Sequence, residues 1–130
     1  LDSIEAYADL QATANAAKNS LLTFLIEATK QGKSVVGYGA AAKGNTLLNY
    51  AGVKPDLLPF IVDQNPNKVG KFLPGSRIPI QPVSDLYLKD FDYILVLPWN
   101  LKDEVADHLG EHLAGGTKLV TAIPSLEFHN

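Results

Sequence analysis

From Ser3 to Gln31 the apolar residues Ile4, Tyr7, Ala8, Ala14, Ala17, Leu21, Phe24, Leu25 and Ala28 recur at threes and fours, which predicts one face of a long helix. Asp2 and Glu5 have the spacing of a capping box. Gly32 falls where a left-handed residue would stop the helix, just after Lys30, whose charge suits the negative end of the dipole. The alanines on this face suit close packing against another surface, part of which is expected to belong to a neighbouring domain.

Beyond Gly32 the pattern alternates between strand and helix. Val35 and Val36 run into Gly37-Tyr38-Gly39 as a buried strand entering a tight turn, and a helix follows from Ala41 to Tyr50, ended by Gly52 and Pro55. Leu58 to Asp63 reads as the second strand, with Pro59 at its start. The stretch from Gln64 to Val83 is broken by prolines and glycines and leaves one short extended piece, Ile78-Pro79-Ile80, before a helical turn at Ser84 to Leu88. Tyr93 to Leu97 is uninterruptedly apolar, as a strand covered on both faces would be. Asn100 then caps a helix whose inner stripe is Leu101, Val105, Leu109 and Leu113; Gly115-Gly116 end it, and Lys118 to Ile123 is the last strand.

This alternation is the grammar of an α/β fold: an open parallel sheet of four to five strands with helices on both faces, preceded by the long helix. The expected organisation is a helix over 1–32 packing on a single compact domain over 33–130. In such a sheet ligands bind beyond the carboxyl ends of the strands, where the connecting loops diverge. Three loops lie there: Gly37 to Asn45, Asp63 to Lys71, and Pro98 to Asn100.

Composition narrows the chemistry. At 130 residues and 46% apolar, the chain can bury a core without staples. Its lack of cysteine excludes thiolate zinc sites, a cysteine nucleophile and a disulfide framework, and fits the cytoplasm, where the protein is expected. Eleven basic against fourteen acidic residues give a net charge of −3, which argues against nucleic acid as a partner. No apolar stretch approaches the ~20 residues of a membrane span, so no membrane partner is expected. Leu1 and the absence of methionine lead us to expect a piece of a longer protein.

In Gly37-Tyr38-Gly39-Ala40-Ala41-Ala42-Lys43-Gly44-Asn45 the glycines permit a tight turn and the alanines keep bulk away from the backbone. Free N–H groups at the helix start, its positive dipole end and Lys43 would together favour a pyrophosphate. The alternative is that the small residues serve helix-to-sheet packing. Asp63 ends the second strand, where dinucleotide folds place an acid on a ribose. However, Gly44 follows Gly39 by five residues, not the three of the nicotinamide fingerprint, and Gly44-Asn45-Thr46 lacks the lysine of a Walker loop. Asp63 and Asn65 could instead form side-chain turns that end the strand. Lys68, Lys71 and Arg77 bring cations to the same edge. Trp99 could stack on a base or sugar beside the Asn100 amide, or simply pack while Asn100 caps. His108 and His112 have metal-compatible spacing, but no third ligand accompanies them, and no catalytic base or nucleophile is evident; no metal site is expected.

The blocks Gly37 to Tyr50, Asp63-Gln64-Asn65-Pro66-Asn67-Lys68-Val69-Gly70, Leu73-Pro74-Gly75 and Leu97-Pro98-Trp99-Asn100, in that order, resemble the C-terminal domain of sugar C-methyltransferases. The resemblance runs from the first helix to Pro124. It implies a Rossmann-like fold and a role in holding a nucleotide-linked keto-sugar against S-adenosylmethionine (SAM). The SAM-binding domain of the same full-length chain is the implied partner. SAM and a structural zinc are expected in that missing N-terminal part, with no cofactor in this domain and no catalysis by it alone. A looser similarity to nucleotide-sugar-binding domains of sugar acetyltransferases agrees. The residues singled out for the substrate are Gly37, Gly39, Ala40, Lys43, Gly44, Asn45, Asp63, Asn65, Lys68, Trp99 and Asn100. Two alternatives stand beside this: an NAD-type dinucleotide-binding domain, and a ligand-free packing or dimerisation module.

Overall fold

The computed structural model describes residues 3–122 and 126–129, with side chains from Ala12 onward. The capping box at Asp2 and Glu5, the packing of Ile4, Tyr7 and Ala8, and the strand end at Ile123 lie outside the described side chains or residues.

Helix α1 (Ser3–Lys30) buries Ala17, Leu21, Phe24, Leu25 and Ala28, the stripe that its periodicity marks. It ends as expected at Gly32. There φ is +71°, the Gly32 N–H donates to the Thr29 carbonyl, and the Lys33 N–H donates to the Ala28 carbonyl, closing a Schellman turn. Strand β1 (Val35–Tyr38) is buried throughout. Helix α2 (Ala42–Ala51) ends in a second Schellman turn at Gly52. Strands β2 (Ile61–Asp63), β3 (Ile80–Pro82), β4 (Tyr93–Val96) and β5 (Lys118–Thr121) follow.

Five expectations need correction. Strand β2 starts at Ile61, because Leu57 and Leu58 first close a turn on the Lys54 carbonyl. The extended piece expected at Ile78 to Ile80 joins the sheet only from Ile80: Ile78 is paired back on Leu73 and Pro79 bridges Phe72. The helix expected from Asn100 is broken into a 3-10 turn (Trp99–Leu101), α3 (Lys102–His108) and α4 (Gly110–Ala114). Asn100 does not cap α3; its N-cap is Leu101, without a side-chain bond. Finally, Lys118 to Ile123 is not the last strand: Glu127–His129 form β6, antiparallel to β5.

The sheet order is β3-β2-β1-β4-β5-β6, parallel through its first five members. On one face α1 and α2 contribute Leu21, Phe24, Leu25, Leu48 and Ala51 to a core that includes Ile61, Leu95 and Val120. On the other, the 3-10 turn Val83–Tyr87, α3 and the residue that follows it supply Leu86, Val105 and Leu109 against Val36, Val62, Ile94 and Leu119. The result is a doubly wound Rossmann-like α/β domain. Its chain reverses direction across the sheet between β3 and β4, which leaves the switch point between β1 and β4.

Candidate functional site

The β1–α2 loop and the Pro98 turn face one another across that switch point. Gly39 has φ +88°, and a Cβ there would lie 2.6 Å from Pro98 Cδ, so glycine is required both by conformation and by space. A Cβ at Gly44 would lie 2.6 Å from Leu97 Cβ, and one at Gly37 2.6 Å from Ile61 Cγ1. Close packing therefore accounts for all three glycines, whatever else the loop does.

The amides of the loop divide into two groups. Those of Gly39, Ala40 and Ala41 are used internally: Gly39 N–H donates to the Val62 carbonyl (2.8 Å), Ala40 N–H to Asp63 Oδ2 (2.7 Å) and Ala41 N–H to the Gly39 carbonyl (2.9 Å). Asn45 N–H donates to the Ala41 carbonyl, the first bond of the helix. Between them, the N–H groups of Ala42, Lys43 and Gly44 have no acceptor among the described residues, and no side chain caps the helix. This is the unpaired first turn that gives a helix its partial positive charge. Lys43 stands exposed on the same turn.

Asp63 holds the loop from below. Its Oδ2 accepts from Ala40 and its Oδ1 from the Asn65 N–H (2.7 Å), while Asn65 Oδ1 accepts from the Asn67 N–H (2.9 Å), so both residues make side-chain turns after β2. Lys68 Nζ donates to the Ala40 carbonyl (3.0 Å). Thus Gly39, Ala40, Asp63, Asn65 and Lys68 form one connected group. Lys43, Trp99 and Asn100 make no hydrogen bond to it among the described residues, although all border the same edge. Trp99 is half-buried and Asn100 exposed. Asn45 turns away: its Nδ2 donates to the Pro74 carbonyl (3.3 Å), which also accepts from Asn49 Nδ2 (3.0 Å).

Several participants carried no individual signal. Gln64 Nε2 lies 3.0 Å from His108 Nε2, tying the β2 loop to α3. Burial raises the Tyr38 phenol above its ordinary value and the Asp63 charge adds to this, with Gln64 opposing both. A cleft of about 410 Å³ opens beside this group, lined by Asp63, Gln64, Pro66, Val69, Pro82 and Val83. His108 and His112 lie on separate helices, and His112 packs on Tyr87. Among the described residues no cluster of three His, Cys, Asp or Glu could hold a metal, and no helix is long and apolar enough to cross a membrane.

The chain thus folds as a doubly wound α/β domain whose switch point carries a small-residue loop and a helix start with unbonded amides. The chain belongs to the C-methyltransferase C-terminal domain family, whose model matches residues 1–124. It is 41% identical over 93 residues to the C-methyltransferase NovU of Streptomyces niveus, a match covering 72% of this chain and 22% of that protein. The chain therefore corresponds to under a quarter of its relative's length.

Proposed function

We propose that this domain binds and orients the nucleotide-linked keto-sugar substrate of an S-adenosylmethionine-dependent sugar C-methyltransferase. The observation that carries this reading is the open first turn of α2 at the switch point, where three amides have no acceptor among the described residues and Lys43 is exposed on the same turn. A diphosphate satisfies both at once. Asn65, whose side-chain nitrogen takes no part in its turn, and Asn100 would meet sugar or ribose hydroxyls, with Trp99 closing the pocket wall.

The residues of this chain do not fit a thiolate zinc site, since none is cysteine; on this reading the zinc and the methyl donor are held by another part of the full-length enzyme. When bound there, the donor supplies the methyl group that the carbon beside the sugar ketone receives. This domain contributes alignment: fixing the diphosphate and sugar converts an encounter between substrate and donor into an effectively intramolecular one. That role makes the SAM-binding domain of the same chain its working partner.

The strand order and the acid at the end of β2 also favour a second reading, an NAD-binding domain. Against it, both Asp63 oxygens already accept backbone N–H groups, where a dinucleotide domain would use the acid on a ribose. Calorimetric titration separates the two. A thymidine or uridine diphosphate sugar is expected to bind, and Lys43→Ala to weaken it about tenfold, the effect of losing one charge-assisted contact. Heat from NAD with none from the diphosphate sugar, or an unchanged affinity in Lys43→Ala, would overturn the proposal.

A further inference from the structure

We infer that Asp63 and Lys68 are positioning residues for the ligand loop rather than ligand contacts: they hold the N–H and the carbonyl of Ala40, the two peptide groups that flank it, and thereby set the direction of the α2 amides. The inference rests on the reading of that loop as an anion cradle. Its own basis is geometric. Left-handed Gly39 takes the chain out of the β1 ladder, so the next N–H, on buried Ala40, has no strand partner; Asp63 Oδ2 accepts it at 2.7 Å. The carbonyl of the same residue accepts from Lys68 Nζ at 3.0 Å. Asp63 at the end of β2 and Lys68 in the loop after it therefore fix Ala40, the residue just before the N-cap of α2, Ala41, which has no side-chain cap of its own.

The grip is itself braced. Asp63 Oδ1 accepts the Asn65 N–H at 2.7 Å, and the Lys68 N–H donates to the Asn65 carbonyl at 3.0 Å, so the side-chain turn that positions the carboxylate also positions the lysine. Charge points the same way. A carboxylate aimed at a diphosphate would repel it, whereas one committed to two backbone donors, with an ammonium on the carbonyl of the same residue, adds little net charge beside the anion. Losing either grip leaves a buried peptide group of Ala40 unpaired and lets the loop relax. With Lys68 committed to the loop, the cation on the α2 turn itself is Lys43.

Hydrogen exchange, read by mass spectrometry on peptides covering residues 38–46 of the ligand-free full-length protein, tests this together with titration by a diphosphate sugar. Asp63→Asn and Lys68→Met are each expected to speed exchange in that segment about tenfold and to weaken the sugar by a similar factor. Lys68→Arg, which keeps a donor, should restore both. Ionic-strength dependence of binding should persist in Lys68→Met and decline in Lys43→Ala. Unchanged exchange in both variants accompanied by weaker binding would overturn the inference, as would a salt dependence lost with Lys68; either result makes them ligand contacts. If the unaltered protein binds no diphosphate sugar, the proposed function fails, and the exchange measurement alone still decides whether the two residues hold the loop.

Discussion

Gly44 shows how a single methyl group separates local preference from tertiary demand. In an isolated helix, alanine is favoured over glycine by about 1 kcal/mol. Here the added Cβ would sit 2.6 Å from Leu97 Cβ and 3.3 Å from Leu97 Cα, at the end of a central strand that cannot retreat. Overpacking of this kind costs about 1–3 kcal/mol, so Gly44→Ala should destabilise the domain, with a lowered midpoint in urea denaturation at unchanged slope. A gain in stability would mean that α2 is free to move off the sheet. The pattern of small residues in this loop was legible from the chain. Its cause was not, because the atoms that exclude a side chain at Gly37, Gly39 and Gly44 belong to Ile61, Pro98 and Leu97, each remote in sequence from its glycine. Asp63 was legible as a residue of consequence for a similar reason, but nothing local says that its oxygens close on Ala40 and Asn65.

Elements were legible where one periodicity ran uncontested. The face of α1 from Ala17 to Ala28 reads directly from the chain, and both α1 and α2 stop at their glycines, since Gly32 and Gly52 each supply the left-handed residue a Schellman turn needs. Leu25 is fully buried in that face, so Leu25→Ala should cost about 2–5 kcal/mol, measured by chemical denaturation. A loss below about 0.5 kcal/mol, the level of an ordinary surface change, would show that α1 does not belong to the cooperative unit. The sequence pattern failed at the third helical stretch, where the apolar spacing from Leu101 to Leu113 continues across a break at Leu109, whose φ of −104° separates α3 from α4. It failed also at β6. A three-residue strand has too few positions to show alternation; its place is set instead by Phe128, which meets Phe24 and Tyr93 edge-on, and by His129 Nε2 at 3.0 Å from Thr121 Oγ1.

At the scale of the molecule, the carboxyl edge of the sheet holds the candidate site, and the amino edge is held shut by one exchange of hydrogen bonds. The Ser34 N–H (2.8 Å) and hydroxyl (3.2 Å) donate to Asp92 Oδ2, and the Asp92 N–H donates back to the Ser34 carbonyl (3.1 Å). The Lys118 N–H completes the set by donating to the Asp92 carbonyl (3.1 Å), so a pair of residues 58 positions apart fastens the starts of β1, β4 and β5. The bond from the Ser34 backbone, helped by its hydroxyl and by the charges of Lys33 and Lys89, holds the Asp92 carboxyl below the usual carboxylate value against a smaller opposing effect of burial. A carboxyl lowered on folding stabilises the native state at pH values above its unfolded pKa, and that contribution disappears as pH falls through the lower folded value. Asp92→Asn keeps an acceptor for Ser34 but removes the charge. It should therefore reduce stability by about 1 kcal/mol at neutral pH, the usual worth of such a bond, and the gap between variant and parent should close on acidification below the normal carboxylate range. Urea titrations of both proteins from pH 7 down to the acid limit of folding measure that gap directly. A difference that stays constant with pH would mean that the clamp works through shape alone, leaving the amino edge of the sheet indifferent to charge.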